Sequence, residues 1–189
     1  MAPEERPLRR DAQRNRELLV AAAREVFGSQ GLEASLEEIA RQAGVAIGTL
    51  YNRFPTRVSL IEAAFVGSLE QSSKYAEQAA AFEDAWDGFA FFLERACEMQ
   101  AADRGFTEVC SRDFPDAPAL TAAKKLGAET MAKVICRAQS SGQLRADFRA
   151  TDLGIVLNAT ARAPHWRRHL AFLLDGFRAE AAHPLPDDS

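Results

Sequence analysis

The stretch AGVAIGTLYNRF, residues 43–54, places a hydroxyl, a phenol, a carboxamide and a guanidinium at Thr49, Tyr51, Asn52 and Arg53. Such groups recognise a partner by hydrogen bonds and, in the guanidinium's case, by charge. They do not make a reaction centre on their own. No nucleophile–base pair, glycine-rich phosphate loop or metal cluster accompanies them elsewhere in the chain, so catalysis is not expected and no cofactor or metal is expected. Gly48 stands in the same stretch. A glycine inside a helix costs about 0.5–1 kcal/mol relative to alanine. Either a surface helix tolerates it, or something must come close to the backbone there.

The remaining reactive side chains offer less. His165 and His169 are four apart and share a helix face, which is zinc-ligand spacing. No glutamate follows the first histidine and no third ligand is evident, so a polar edge beside Trp166 is the plainer reading. Cys97, Cys110 and Cys136 form neither a CxxC pair nor an even set. They read as reduced, small core residues, with oxidant sensing as the alternative if one were an activated thiolate.

The elements that would position the 43–54 stretch are helical. A first helix runs from about Ala12 to Gln30, with Leu18, Leu19, Ala22, Ala23, Val26 and Phe27 at helical spacing and Gly31 as its stop. SLEE at 35–38 is a capping box that opens a second helix, with Ser35 as N-cap and Glu38 at N3. Leu36, Ile39, Ala40 and Ala43 mark its buried side and Gly44 ends it. The third helix spans about Ala46 to Arg53, and a longer one follows Pro55 and Thr56. Two short helices joined by Ala43-Gly44-Val45 are a helix-turn-helix signature, in which the second helix enters the major groove of DNA. Gly48 would then let that helix approach its partner.

AAREVFGSQGLEASLEEIARQAGVAIGTLYNRFPTRVSLIEA closely resembles the DNA-binding domain of the TetR family of bacterial transcriptional regulators. The matching positions cover about residues 14–62 and include Ala22, Phe27, Gly31, Ser35, Ile39, Ala40, Ala43-Gly44-Val45, Gly48-Thr49-Leu50-Tyr51 and Phe54. The resemblance implies phosphate contacts from Thr49 and Tyr51, a charged contact from Arg53 and a phosphate or base-edge bond from Asn52. It implies an apolar contact from Ile47 with a thymine methyl, which chemistry permits in the major groove. Arg57 would clamp a phosphate, and Ser35 would cap a helix whose positive end suits one. Leu50 and Phe54 read as core. Ala46 departs from the family, which usually has a hydroxyl residue there; alanine at an N-cap costs about 1 kcal/mol. Arg9, Arg10, Arg14 and Arg16 would form a basic arm, or a merely solvated end.

The remainder of the chain, about 75–180, reads as four or five further helices with breakers at Gly105, DFPDAP (113–118), Gly142 and Pro164. GQLRADF…DL and WRRHLAFLLDGF resemble stretches of one C-terminal subgroup of the family. Trp86, Phe89, Phe92, Met99, Phe106 and Phe114 are candidates for an effector pocket, with ordinary core packing as the alternative. Leu153, Val156, Leu157 and Thr160 form one late apolar stripe, and Trp166, Leu170, Leu173, Leu174 and Phe177 another. The resemblance implies that the last two helices dimerise, and these stripes supply the candidate interface.

The 189 residues carry a net charge of -4, which alone argues against a nucleic-acid binder. Its distribution is less adverse: residues 1–60 carry +1 and residues 61–189 carry -5. No signal peptide and no apolar run of membrane-spanning length is visible, so a soluble, cytoplasmic protein without a membrane partner is expected. The expected architecture is all-α. A three-helix helix-turn-helix domain with a basic N-terminal arm occupies 1–56, a helical effector-binding and dimerisation domain 57–182 and a disordered tail 183–189. The expected function is a homodimeric transcriptional regulator, a repressor released from palindromic double-stranded operator DNA by a small-molecule effector. The alternative is a helical ligand-binding module that no longer binds DNA.

Overall fold

Nine α-helices and one 3-10 turn make up the computed structural model, which describes the backbone of residues 5–185 and the side chains of 11–185; no strand occurs among the described residues. The helices are α1 (Glu5–Gln30), α2 (Leu36–Gln42), α3 (Ile47–Arg53), α4 (Arg57–Ala80), α5 (Ala85–Ala102), α6 (Arg104–Ser111), α7 (Pro118–Ser140), α8 (Ala150–Ala161) and α9 (Trp166–Phe177). The chain divides into two compact units, Met1–Ser68 with Asp103–Ala122, and Leu69–Ala102 with Ala123–Ser189. This differs from a cut at residue 56: the first turns of α4, all of α6 and the start of α7 belong with the N-terminal helices.

In the first unit, α1 packs on α2 and α6, and α2 packs on α3. Leu19, Val26, Phe27, Leu32, Ile39, Leu50, Phe54, Leu60, Phe65, Phe106 and Val109 are buried. The reason α6 sits so close is Gly105. A Cβ there would lie 2.7 Å from both the Phe27 carbonyl oxygen and the Phe65 ring. Asp103 caps α6 by accepting the Phe106 N–H at 2.8 Å.

Local signals explain the helix-turn-helix. Ser35 caps α2 by accepting the Glu38 N–H. Gly44, at φ +69°, closes α2: its N–H bonds to the Arg41 carbonyl and that of Val45 to the Ala40 carbonyl, a Schellman motif. Only half of the expected capping box forms, since the Glu38 carboxylate bonds instead to Arg41 and Gln30.

In the second unit α8 and α9 pack on α5 and on each other. Its core gathers Trp86, Phe89, Phe92, Leu93, Cys97, Met131, Val134, Leu144, Phe148, Leu153, Leu157 and Leu170. The segment 141–148 turns at the expected breaker Gly142 (φ +73°) and pairs with the end of α9, Arg145 N–H to the Phe177 carbonyl and Ala179 N–H to the Gln143 carbonyl. Arg145 fixes that junction by bonds to both Asp147 carboxylate oxygens and to the Gly176 and His183 carbonyls. Of the expected disordered tail, 183–185 have no regular structure and are exposed, and 186–189 lie outside the described residues.

Candidate nucleic-acid interface

Leu50 is fully buried and anchors α3, so the opposite side of this seven-residue helix faces outward. Gly48, Tyr51 and Asn52 are spaced three and four apart and share that side, and Ile47 lies at its edge toward Leu50. Gly48, Tyr51, Asn52 and Arg53 are exposed, and Ile47 and Thr49 are half-buried. A Cβ on Gly48 would meet no atom within 4 Å. Nothing among the described residues therefore requires glycine at 48. Ala46 occupies the N-cap of α3 with extended backbone and no side-chain cap bond, so the helix begins without the hydroxyl usual in such a place.

Two expected phosphate contacts meet a different arrangement. The Ser35 hydroxyl accepts from Glu38 N–H and donates to a Glu37 carboxylate oxygen at 2.7 Å. That bond, with a further one from the Glu37 backbone, holds the Glu37 carboxyl below the usual glutamate range. A carboxylate thus sits where α2 would offer its positive end. Arg57 turns inward as well: its Nη1 donates to the Leu32 carbonyl at 2.9 Å and the Ala34 carbonyl at 2.5 Å. Local sequence carries no sign of this, because the acceptors are backbone groups more than twenty residues away.

The basic arm is a helix. The backbone is helical from Glu5, Arg14 is exposed on α1 and the Arg16 guanidinium lies 5.5 Å from the Phe54 ring centroid. The side chains of Arg9 and Arg10 lie outside the described residues.

The effector candidates are divided between the two units. Trp86, Phe89 and Phe92 are buried in the second unit's core, Met99 is half-buried there, and Phe106 and Phe114 belong to the first unit. Trp86 is occupied by Phe89 and by the Arg178 guanidinium, 3.8 Å from the indole centroid. The dimer candidates divide too. Leu153, Leu157 and Leu170 are buried in their own chain, Val156 is half-buried, and Phe177 packs edge-on against Phe148. Trp166, Leu170 and Leu174 line a cleft of about 140 Å³ with Glu94, Arg95, Arg167 and Ala171. The large apolar side chains that α8 and α9 leave exposed are Ile155, 70% exposed, and Phe172, 62% exposed, both off the stripes read from sequence.

All three cysteines are free thiols. Burial pushes the Cys97 thiol up to about 12, which removes it as a thiolate sensor. No group of three potential metal ligands occurs among the described residues. No helix among them is long and apolar enough to cross a membrane.

Residues 19–64 match the family described as bacterial regulatory proteins, tetR family, and residues 84–179 match the transcriptional regulator SbtR-like C-terminal domain. The chain is similar to a TetR transcriptional regulator of Streptomyces coelicolor, 31% identical over 86% of this chain and 98% of that one, with a TM-score of 0.57. It is similar to a TetR transcription regulatory protein of Mycobacterium vanbaalenii, 28% identical over 91% and 99%, TM-score 0.58. Its fold is also that of the regulator FadR of Bacillus subtilis, solved with stearoyl-CoA, 17% identical over 88% and 99%, TM-score 0.67. No curated protein sequence matches the chain.

Proposed function

The chain belongs to the TetR family of bacterial regulatory proteins, DNA-binding transcription factors rather than enzymes, and from that premise we propose a homodimeric repressor that leaves a palindromic operator when a small molecule binds. The observation that carries the DNA contact is the outer side of α3. Gly48 lies open there between Ile47, Tyr51 and Asn52, with no atom of the described residues within 4 Å of a Cβ at 48. A thymine methyl suits Ile47, and phosphate oxygens suit Thr49, Tyr51 and Arg53. Asn52 reaches a phosphate or a base edge. The effector half of the proposal is supported by the match of residues 84–179 to a transcriptional regulator C-terminal domain and by a protein of the same fold solved with stearoyl-CoA.

Selection of genomic fragments by the purified protein, followed by gel shifts at several salt concentrations, tests this reading. Binding to a recurring inverted repeat, weakening steeply with salt, is expected. Equal, weak retention of all fragments, or none, would favour the ligand-binding module that no longer reads DNA.

A further inference from the structure

We infer that Arg57 and Glu108 are positioning residues for DNA binding, which hold the backbone of Leu32 from two sides. Arg57, at the start of α4, donates to the Leu32 and Ala34 carbonyls. Glu108, on α6, accepts the Leu32 N–H at 3.1 Å. Leu32 and Ala34 form the turn between α1 and α2, directly before the Ser35 cap. The place of α2, and through Gly44 of α3, is thereby tied to two helices outside the helix-turn-helix.

The surroundings are built for the Glu108 carboxylate. Its side chain is 10% exposed and pairs with Arg104 at 3.1 Å and Arg112 at 3.1 Å. Arg112 reaches on to Glu33 at 3.0 Å, beside Leu32 in sequence. Gly31, at φ +92°, leaves the room: a Cβ there would lie 2.6 Å from a Glu108 oxygen and 2.9 Å from the Arg104 Nε. An arginine read from sequence as a phosphate ligand is thus one half of an internal clamp, and a glutamate on α6 is the other half.

This inference rests on the DNA-binding reading above, and its test separates the two. Arg57→Met, Glu108→Ala and Glu108→Gln are compared with the parent on the selected operator fragment across salt, and by hydrogen exchange of the 31–35 segment. Hydrogen bonds to charged groups are strong enough that Arg57→Met and Glu108→Ala should each weaken binding about tenfold. The salt slope should stay unchanged and the 31–35 segment should exchange faster. Glu108→Gln retains a carbonyl oxygen that accepts the Leu32 N–H, and should stay near the parent in both readouts. A salt slope lowered by about 1 in Arg57→Met, with Glu108→Ala binding normally, would overturn the clamp and make Arg57 a direct phosphate ligand. Should Glu108→Ala fail to fold, the slope of Arg57→Met decides in the same way. If the parent binds no duplex while exchange responds as expected, the regulator reading falls, and the positioning role for DNA falls with it.

Discussion

Gly48 and Glu37 make opposite demands on a bound phosphate backbone. At Gly48 the chain has removed bulk that its own packing did not oblige it to remove, since a Cβ there meets nothing within 4 Å. Gly48→Leu should therefore fold with a melting temperature equal to or above the parent's, gaining about 0.5–1 kcal/mol of helix stability. It should lose operator binding. Normal affinity in gel shifts would show that the open space is not where DNA lies. At Glu37 the chain has placed a charge of the wrong sign beside Ser35. Glu37→Gln removes that charge and loosens the hydroxyl, so affinity for all duplexes should rise about two- to fivefold, the scale of one charge at a helix end. Unchanged affinity would place α2 away from the phosphates.

Helices whose ends are marked by local chemistry were readable from sequence. Ser35 and Gly44 bracket α2 because a cap and a positive φ are decided within four residues, and Pro118 and Gly142 bracket the α7 region similarly. What depended on distant partners was not readable. The allegiance of α6 to the N-terminal unit rests on Gly105 lying against Phe27 and Phe65, and the use of Arg57 rests on carbonyls before α2. Periodicity found the late apolar stripes but could not tell a face turned to its own core from one turned to a second molecule. Glu108 shows what such distant partners do energetically. Burial pushes its carboxyl upward, but the Leu32 N–H, Arg104 and Arg112 outweigh burial and hold it below the ordinary glutamate range. The folded state thus binds this proton less tightly than the unfolded chain, whose glutamates titrate near about 4.3. The stability it contributes is present above that pH and lost as pH falls through the lower folded value. Thermal melts of Glu108→Gln should accordingly fall less steeply on acidification than the parent's, and parallel curves would deny the carboxylate this role.

At the scale of the whole molecule, one helix-turn-helix reads only a few base pairs, and a two-fold dimer supplies two half-sites about 34–36 Å apart or a multiple of that. Buried Leu153, Leu157 and Leu170 are committed to their own core, which moves the candidate interface to the outward face of α8 and α9 opposite them. Ile155 and Phe172 stand out from that face, and the exposed Gly154, Ala159, Ala171 and Gly176 around them let a second pair of helices come near. Removing residues 163–189 would not test this cleanly, because it would also take Leu170 out of the core. The double variant Ile155→Glu, Phe172→Glu changes only exposed positions. It should melt like the parent, run as a monomer by light scattering and bind the operator about 100-fold more weakly or worse, since linking two half-sites raises affinity by that order. Leu170→Ala should behave in the opposite manner, losing about 2–5 kcal/mol of stability as a buried leucine does. A double variant that remains a dimer with normal operator affinity would place the two-fold axis on another face of the chain.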